Sequence, residues 1–502
     1  MKSTQFCNLT GSHRTNPRHS SPSVHALAAG WHPLAIRVMA ILLVVVICSG
    51  LSLAYSVLTH EEIVDLLWSD EIRPLLLKRY PGLTDDQIKE AHAYAYGGAV
   101  IQDLGYYPFG SKEFSDLAHY VRTGDFVREL LRKSNDVNEY AFALGALAHY
   151  SSDITGHPAV NLSVAIEYPK LRAQYGRSVT YAQDKTAHLK TEFGFDMVQV
   201  AKNRYASQQY HDFMGFQVSK PVLERAFPAV YGLQLKDVIA HEDLAIGSYR
   251  FAVSRLIPEM TQVALKTHEK DMMREQPDFA KKKFLYHLSR SDYEKEWGKD
   301  YTKPGFGTRI LAIFFRFVPR IGPFKGLGFN NPTAQTEDLY FKSINATLDQ
   351  YRTFLHQVSA DSLQLANCDL DDGKATQFGE YSLADDTYAR LLQQLSARKF
   401  EGTSTELRTN ILDFYSGATG SFEGEKINGE KINTAKLDAE KIGANKIDME
   451  KFDREKDQHY SNNFESELDQ LKAMTPVPAA VGELRSDRTP GTGRPGVCSS
   501  DQ

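Results

Sequence analysis

The sequence predicts an all-α protein, with one multi-helix domain, a helical C-terminal extension and a disordered tail. From Tyr55 to about Pro258, apolar residues recur at the helical period and the alternation typical of strands is rare. Residues 335–418 resume the helical pattern, most clearly from Thr387 to Arg398. A length of 502 residues allows one large domain with appendages or two to three domains.

The N-terminal 54 residues have the pattern of an export signal. An apolar run from Val38 to Ala54 follows Arg37 and ends in Ser52-Leu-Ala54, a small-x-small cleavage signal. We therefore predict that residues 1–54 are a signal peptide. Because the run is at the short limit for a membrane span, an uncleaved anchor formed by residues 38–54 is the alternative. In either case the body of the protein is exported, to a secreted or periplasmic location.

Charge and cysteine content disfavour some classes of protein. The net charge is −5, although the first 54 residues carry basic side chains and no acidic one, so the body of the chain is acidic. An acidic body disfavours the binding of bulk nucleic acid. Only Cys368 and Cys498 follow the leader, far apart and with the second in a Pro/Gly-rich tail, which predicts no disulfide framework.

Three potential metal ligands recur at a spacing of four residues. His149, Asp153 and His157 have this spacing, which places side chains on one face of a helix. Imidazole and carboxylate form the ligand mixture that zinc accepts in hydrolytic sites. Pro158 disfavours helical geometry in the preceding residue, so we expect His157 at or just beyond the end of its helix.

Two predicted helices carry these and further ligands. Asp136 and Glu139 have the spacing of a capping box at the start of the helix that leads to the first motif. A second helix, predicted from Lys185 through Val200, presents His188 and Glu192 on one face. The two motifs together indicate a site with several zinc ions and a hydrolytic function.

The order, spacing and types of these residues resemble the zinc-dependent phospholipase C family, including the N-terminal zinc domain of glycosylphosphatidylinositol-specific phospholipase D. The resemblance covers roughly residues 55–260 and rests on the histidines and carboxylates of the two motifs together with an upstream aspartate and two upstream histidines. It implies an all-helical zinc-dependent phospholipase C-like domain that holds three zinc ions.

The resemblance also implies a ligand set for each ion. The first zinc would be held by Asp103, His119, His149 and Asp153, the second by His157, His188 and Glu192, and the third by His60, Asp153 and the free amine and carbonyl of Tyr55. Asp153 would bridge two ions. Asp103 is the candidate catalytic residue, which would ligate zinc and orient or deprotonate the attacking water. For His60, His119 and Glu192 the alternative is an ordinary structural role on a helix.

Aromatic residues follow Asp103 in the chain. Tyr106 and Tyr107 are candidates for lining a substrate pocket, because aromatic faces favour choline-like cations. Aromatic packing inside a helical core is the alternative.

The remainder of the chain divides by composition. Residues 261–420 form a helical extension of unknown role, in which residues 309–320 are either an interfacial membrane-binding helix or a core helix whose arginines reach solvent. Residues 421–457 contain a charged five-residue repeat of low complexity. Residues 458–502 are expected to form a short helix and a disordered tail.

We predict an exported zinc-dependent phosphodiesterase that hydrolyses phospholipid headgroup ester bonds. Two alternatives fit the same residues. One is a zinc-dependent single-strand nuclease, and the other is a non-catalytic, zinc-stabilised envelope or binding protein.

Overall fold

The computed structural model describes residues 57–201, 215–257, 331–416, 464, 466–474 and 498, all within one compact unit, Cys48–Gln502. No β-strand forms in these ranges, and Cys368 and Ala375 make an isolated bridge. The predicted all-α fold is confirmed. The leader, Tyr55, residues 309–320 and the charged repeat lie outside the described residues.

The first half of the described chain forms six α-helices and two shorter helical segments. The α-helices are α1 (Val57–Leu67), α2 (Arg73–Arg79), α3 (Asp85–Ala99), α4 (Lys112–Tyr120), α5 (Thr123–Lys133) and α6 (Val137–Glu167). A π-helical segment, Trp68–Ile72, follows α1, and a 3-10 helix, Ile101–Tyr106, follows α3.

The rest of the described chain continues with helices on both sides of residues 258–330. These helices are α7 (Pro169–Tyr175), α8 (Lys185–Ala201), α9 (Lys220–Tyr231), α10 (Leu235–Val238), α11 (Glu242–Phe251), α12 (Ala334–Ser359), α13 (Ser382–Ala397) and α14 (Thr405–Ser416). A π-helical segment, Ala252–Leu256, ends α11. The helices predicted over Lys185–Val200 and Thr387–Arg398 are thereby confirmed.

Helix α6 is the central element and packs against α3, α5, α8 and α12. It crosses α3 closely because glycines stand at the contact. A Cβ atom on Gly145 would lie 2.0 Å from the Ala95 carbonyl oxygen, and one on Gly98 would lie 1.9 Å from that of Phe142. Such distances leave no room for a side chain. The close crossing brings the end of α3, and the 3-10 helix after it, against the middle of α6.

The expected end of α6 at His157 is wrong, because the helix continues through Pro158 to Glu167. Proline lacks the amide donor that would bond the Ile154 carbonyl. Gly373, at φ +73°, packs on this carbonyl so closely that a Cβ atom would lie 2.4 Å from its oxygen. Burial of α6 by its neighbours outweighs the local preference of the residue before proline, so His157 lies one turn after Asp153 on the same face.

Helices α12 to α14 pack onto the same hydrophobic core as the preceding helices. Helix α12 lies along α6, and the Tyr351 hydroxyl donates to the Leu144 carbonyl at 2.9 Å. Residues 466–473 are helical, and their Leu468 and Leu471 are buried. In the described part of the chain the extension therefore completes the core around α6.

Cys368 and Cys498 form a disulfide with Cα atoms 5.7 Å apart, so the expectation that the chain has no disulfide framework is wrong for this pair. The two cysteines are 130 residues apart in the sequence, so no local pattern could predict their pairing. Tertiary packing alone brings them together. Within the described ranges, no helix combines the length and the apolar character needed to cross a membrane.

Candidate metal centre

Eight of the predicted ligands converge on one buried site. The converging side chains are His60 of α1, Asp103 of the 3-10 helix, His119 of α4, His149, Asp153 and His157 of α6, and His188 and Glu192 of α8. Each is at most 2% exposed. The ninth predicted ligand, Tyr55, lies outside the described residues.

The first turn of α1 is tied to α8 beside the site. The Leu58 amide and the Thr59 hydroxyl donate to the carboxylate of Asp196 at 3.2 and 2.6 Å. A carboxylate at a helix N-terminus satisfies amide donors that have no partner within the helix. Asp196 therefore holds the N-terminus of α1 in place and presents His60 to α6.

Backbone carbonyls orient two of the histidines. The Nδ1 atom of His119 lies 2.8 Å from the Ser115 carbonyl, and that of His149 lies 2.9 Å from the Ala99 carbonyl. A carbonyl accepts, so each Nδ1 carries the proton and each Nε2 keeps its lone pair. Both Nε2 atoms face the centre of the site, where a metal ligand needs that lone pair.

Asp153 occupies the middle of the site, with histidine Nε2 atoms around both oxygens. The nitrogens of His149 and His119 lie 2.9 and 3.5 Å from Oδ2. Those of His60 and His157 lie 3.5 and 3.7 Å from Oδ1. The two oxygens therefore face different histidine pairs, which is the arrangement that a bridging carboxylate requires.

A second group lies between α6 and α8. The Nε2 atoms of His157 and His188 lie 3.6 and 2.8 Å from Oε1 of Glu192. The two imidazole rings are nearly perpendicular, with centroids 5.4 Å apart. The ligand atoms of these three residues lie within 4.8 Å of one another, as do those of two further groups, His60–Asp103–His149 and His119–His149–Asp153.

The longer separations between donor atoms at this site suit zinc ligands better than they suit hydrogen bonds. Tetrahedral ligands at zinc distances are separated by about 3.3–3.5 Å. Most of the separations around Asp153 lie near this value, as does the 3.4 Å between His119 Nε2 and Asp103 Oδ1. Among the described residues, both oxygens of Asp103, Asp153 and Glu192 are buried without a hydrogen bond of good geometry. Buried carboxylates need such compensation, and zinc would supply it.

The pKa shifts of His157 and Asp153 in the metal-free fold also favour a metal site. Burial alone would lower the pKa of His157, but nearby carboxylates, Asp153 first among them, raise it to about 10. Burial would raise the pKa of Asp153, but His149 and His157 hold it well below its usual range. A proton on His157 thus offsets the charge of Asp153 in the absence of metal, and a zinc ion would replace that proton.

A comparison with known protein families agrees with this set of potential zinc ligands. Residues 59–240 match the family described as zinc dependent phospholipase C. The resemblance stated from the sequence is confirmed, and the matched segment contains every described residue of the candidate metal centre. No curated protein and no solved structure gave a significant match.

The side chains of Tyr106 and Tyr107 pack against different aromatic residues. The Tyr106 ring lies 6.0 Å from the His119 ring and 6.4 Å from the Tyr181 ring. Tyr107 packs edge-on against Tyr249 at 4.8 Å, and its hydroxyl is buried. Of the two predicted substrate residues, Tyr106 adjoins the candidate metal ligand His119, and Tyr107 contributes to aromatic packing.

Several residues beside the site were not predicted from the sequence. Tyr181 lies 5.6 Å from the His188 ring, and the Nζ atom of Lys185 lies 5.4 Å from the Tyr181 ring. Asp371, in the loop between α12 and α13, approaches His157. The acidic run Asp369-Leu-Asp371-Asp372 was the available signal, although nothing in the sequence tied it to the zinc motifs.

His92 and Asp116 take no part in the ligand cluster. His92 bonds Asp65 at 2.8 Å and stacks on Trp68. Asp116 accepts from Lys112 of α4 and from Arg390 of α13. Core packing, and support for α4, which carries His119, account for them.

Proposed function

We propose that the protein is an exported zinc-dependent phosphodiesterase that hydrolyses phospholipid headgroup ester bonds. The observation that carries this proposal is Asp153, a buried carboxylate whose two oxygens face four histidine nitrogens in a region that matches the zinc dependent phospholipase C family. A site built only for packing would not gather four imidazole nitrogens around one buried carboxylate.

The described side chains would hold zinc in the sets inferred from the sequence. One ion takes Asp103, His119, His149 and Asp153, one takes His157, His188 and Glu192, and one takes His60 and Asp153 together with the terminal amine and carbonyl of Tyr55 after cleavage at Ala54. When bound, zinc supplies the Lewis acidity that makes water nucleophilic near neutral pH and offsets phosphate charge.

Asp103 is our candidate for the proton acceptor in hydrolysis. Both of its oxygens are buried, form no hydrogen bond of good geometry with described residues, and lie beside the His119 ring, 3.4 Å at the closest pair of atoms. One oxygen can therefore serve as a ligand while the other accepts a proton from the attacking water. The rigid 3-10 helix that carries Asp103 keeps this carboxylate in place against α6.

Tyr106, Tyr181 and Lys185 are proposed to form the entrance to the site. The Lys185 Nζ atom lies 6.0 Å from the Tyr106 ring and 5.4 Å from the Tyr181 ring. Burial, and then the charge of the neighbouring Lys112, lower the pKa of Lys185. Lys185 attracts a phosphodiester anion to the entrance, and the tyrosines provide aromatic faces for a headgroup cation.

The aromatic geometry distinguishes this function from the nuclease alternative. A base held by stacking needs a parallel aromatic face. The Tyr106 and Tyr181 rings are tilted by 44° to each other, so a base stacked on one cannot be parallel to both. This tilt excludes a base stacked between the two rings, and the acidic charge of the chain disfavours a nucleic acid.

The test uses the protein secreted by expressing cells, with its N-terminus sequenced and its zinc content measured. Phosphatidylcholine and phosphatidylinositol vesicles and single-stranded DNA are offered in parallel, and released phosphorylated headgroups or nucleotides are quantified. We expect headgroup release, and replacement of Asp103 by asparagine should reduce it by at least about 100-fold, the lower range for a general base.

Asp86→Asn is the matched control, because Asp86 is an exposed aspartate in the first turn of α3. DNA cleavage without headgroup release would replace the proposal by the nuclease. Stoichiometric zinc without either activity would replace it by the zinc-stabilised binding protein.

A further inference from the structure

A loop outside the segment matched to the family reaches the metal centre. Asp371 lies between α12 and α13, beyond residues 59–240, and is 3% exposed. Its Oδ1 atom lies 3.5 Å from Nδ1 of His157. This nitrogen is on the opposite side of the imidazole ring from Nε2, which faces Asp153 and Glu192.

Asp371 is itself held rigidly. Its Oδ2 atom accepts hydrogen bonds from the hydroxyls of Tyr120 at 2.7 Å and Tyr381 at 2.6 Å. Its amide donates to Asp369 at 2.8 Å, and its carbonyl accepts from Asn161 of α6 at 2.9 Å. With one oxygen and both backbone groups occupied, Oδ1 is the atom left to face His157.

The loop that carries Asp371 is fastened to the helices of the metal centre. The Leu370 amide donates to the His119 carbonyl at 3.0 Å. Thr123 bonds both the carbonyl and the amide of Cys368, at 2.8 and 3.0 Å. Gly373 packs on the Ile154 carbonyl of α6. The loop therefore spans α4 and α6, the helices that carry His119 and His157.

We propose that Asp371 is a positioning residue that orients His157 for zinc. A carboxylate behind a ligating imidazole holds the proton on the far nitrogen, fixes the ring orientation and makes the ligating nitrogen more basic. His119 and His149 have neutral carbonyls in this role, whereas His157 has a charged partner. This inference rests on the zinc site of the proposed function and not on its substrate.

The test measures zinc affinity rather than turnover. Metal-free wild-type protein and the Asp371→Asn variant are titrated with zinc against a chromogenic chelator. The asparagine has nearly the same shape but no charge. We expect one zinc per chain to bind about 10- to 100-fold more weakly, the usual effect of losing such a partner, while the remaining zinc binds as in the wild type.

Two further variants separate positioning from stability. Asp372→Asn removes the same charge from the same loop, where Asp372 accepts from the Lys374 amide, and should bind zinc normally. Tyr381→Phe removes one hydrogen bond to Asp371 but keeps its charge beside His157, so it should lower the melting temperature of the metal-free protein with a much smaller loss of zinc affinity.

Three results would overturn the inference. They are wild-type affinity in Asp371→Asn, equal weakening in Asp372→Asn, and a loss in Tyr381→Phe as large as that in Asp371→Asn. If the wild-type protein binds no zinc, the proposed function fails as well, whereas normal zinc binding without phosphodiester hydrolysis leaves this inference intact.

Discussion

Replacing Asp153 by asparagine is the most informative single perturbation of the metal centre. The two oxygens lie 2.9–3.7 Å from the Nε2 atoms of four histidines. Asparagine keeps one acceptor and replaces the other with an amide group that cannot bind zinc. We therefore expect zinc content to fall by at least one ion per chain and turnover to fall by about 1,000-fold or more, equivalent to about 4 kcal/mol of transition-state stabilisation.

The assay pairs elemental zinc analysis with headgroup release from vesicles, and adds thermal unfolding in the presence of a chelator. Removing one member of a buried charge cluster costs about 3–5 kcal/mol of folding stability even without metal. A lower stability of the metal-free variant therefore does not distinguish a zinc-bridging carboxylate from an ordinary buried one. Full zinc content together with normal turnover in Asp153→Asn would refute the bridging role.

Three other perturbations test the site and the fold. With zinc at 100 times its dissociation constant, chelation should remove about 2.7 kcal/mol of stability per site, so an unchanged melting temperature would count against bound zinc. The pKa of His157 is raised from 6.5 to about 10, so its contribution to stability is present below pH 6.5 and lost towards pH 10. The melting temperature of the metal-free protein should fall across that range, and His157→Gln should flatten the decline. Replacing Cys498 by serine opens a cross-link spanning 130 residues and should cost up to about 5 kcal/mol, measured by denaturant unfolding; identical midpoints would exclude the disulfide.

The helical spacing of residues in the sequence was enough to identify the two central motifs of the site. His149, Asp153 and His157 share one helix face because their spacing matches the helical repeat, and His188 and Glu192 follow the same rule. The structure brings both motifs together between α6 and α8. No short-range pattern could place His60, Asp103 and His119, which the family resemblance supplied and the fold brings to the same centre.

Pro158 shows where local rules fail. The preference of the residue before proline predicted the end of α6 at His157, yet the helix continues, because neighbouring helices bury it and Gly373 packs on the carbonyl that proline leaves without a donor. Part of this support comes from Gly373, which is more than 200 positions away in the sequence. The residues that surround Pro158 in the sequence therefore do not predict this tertiary support.

The sequence by itself determined the all-α class and the two motifs of potential zinc ligands, because helical spacing and ligand type are local properties of the chain. Only the tertiary structure decided that Asp371 lies behind His157 and that Cys368 joins Cys498. Those contacts depend on which helix faces meet, and packing of the whole core sets that arrangement.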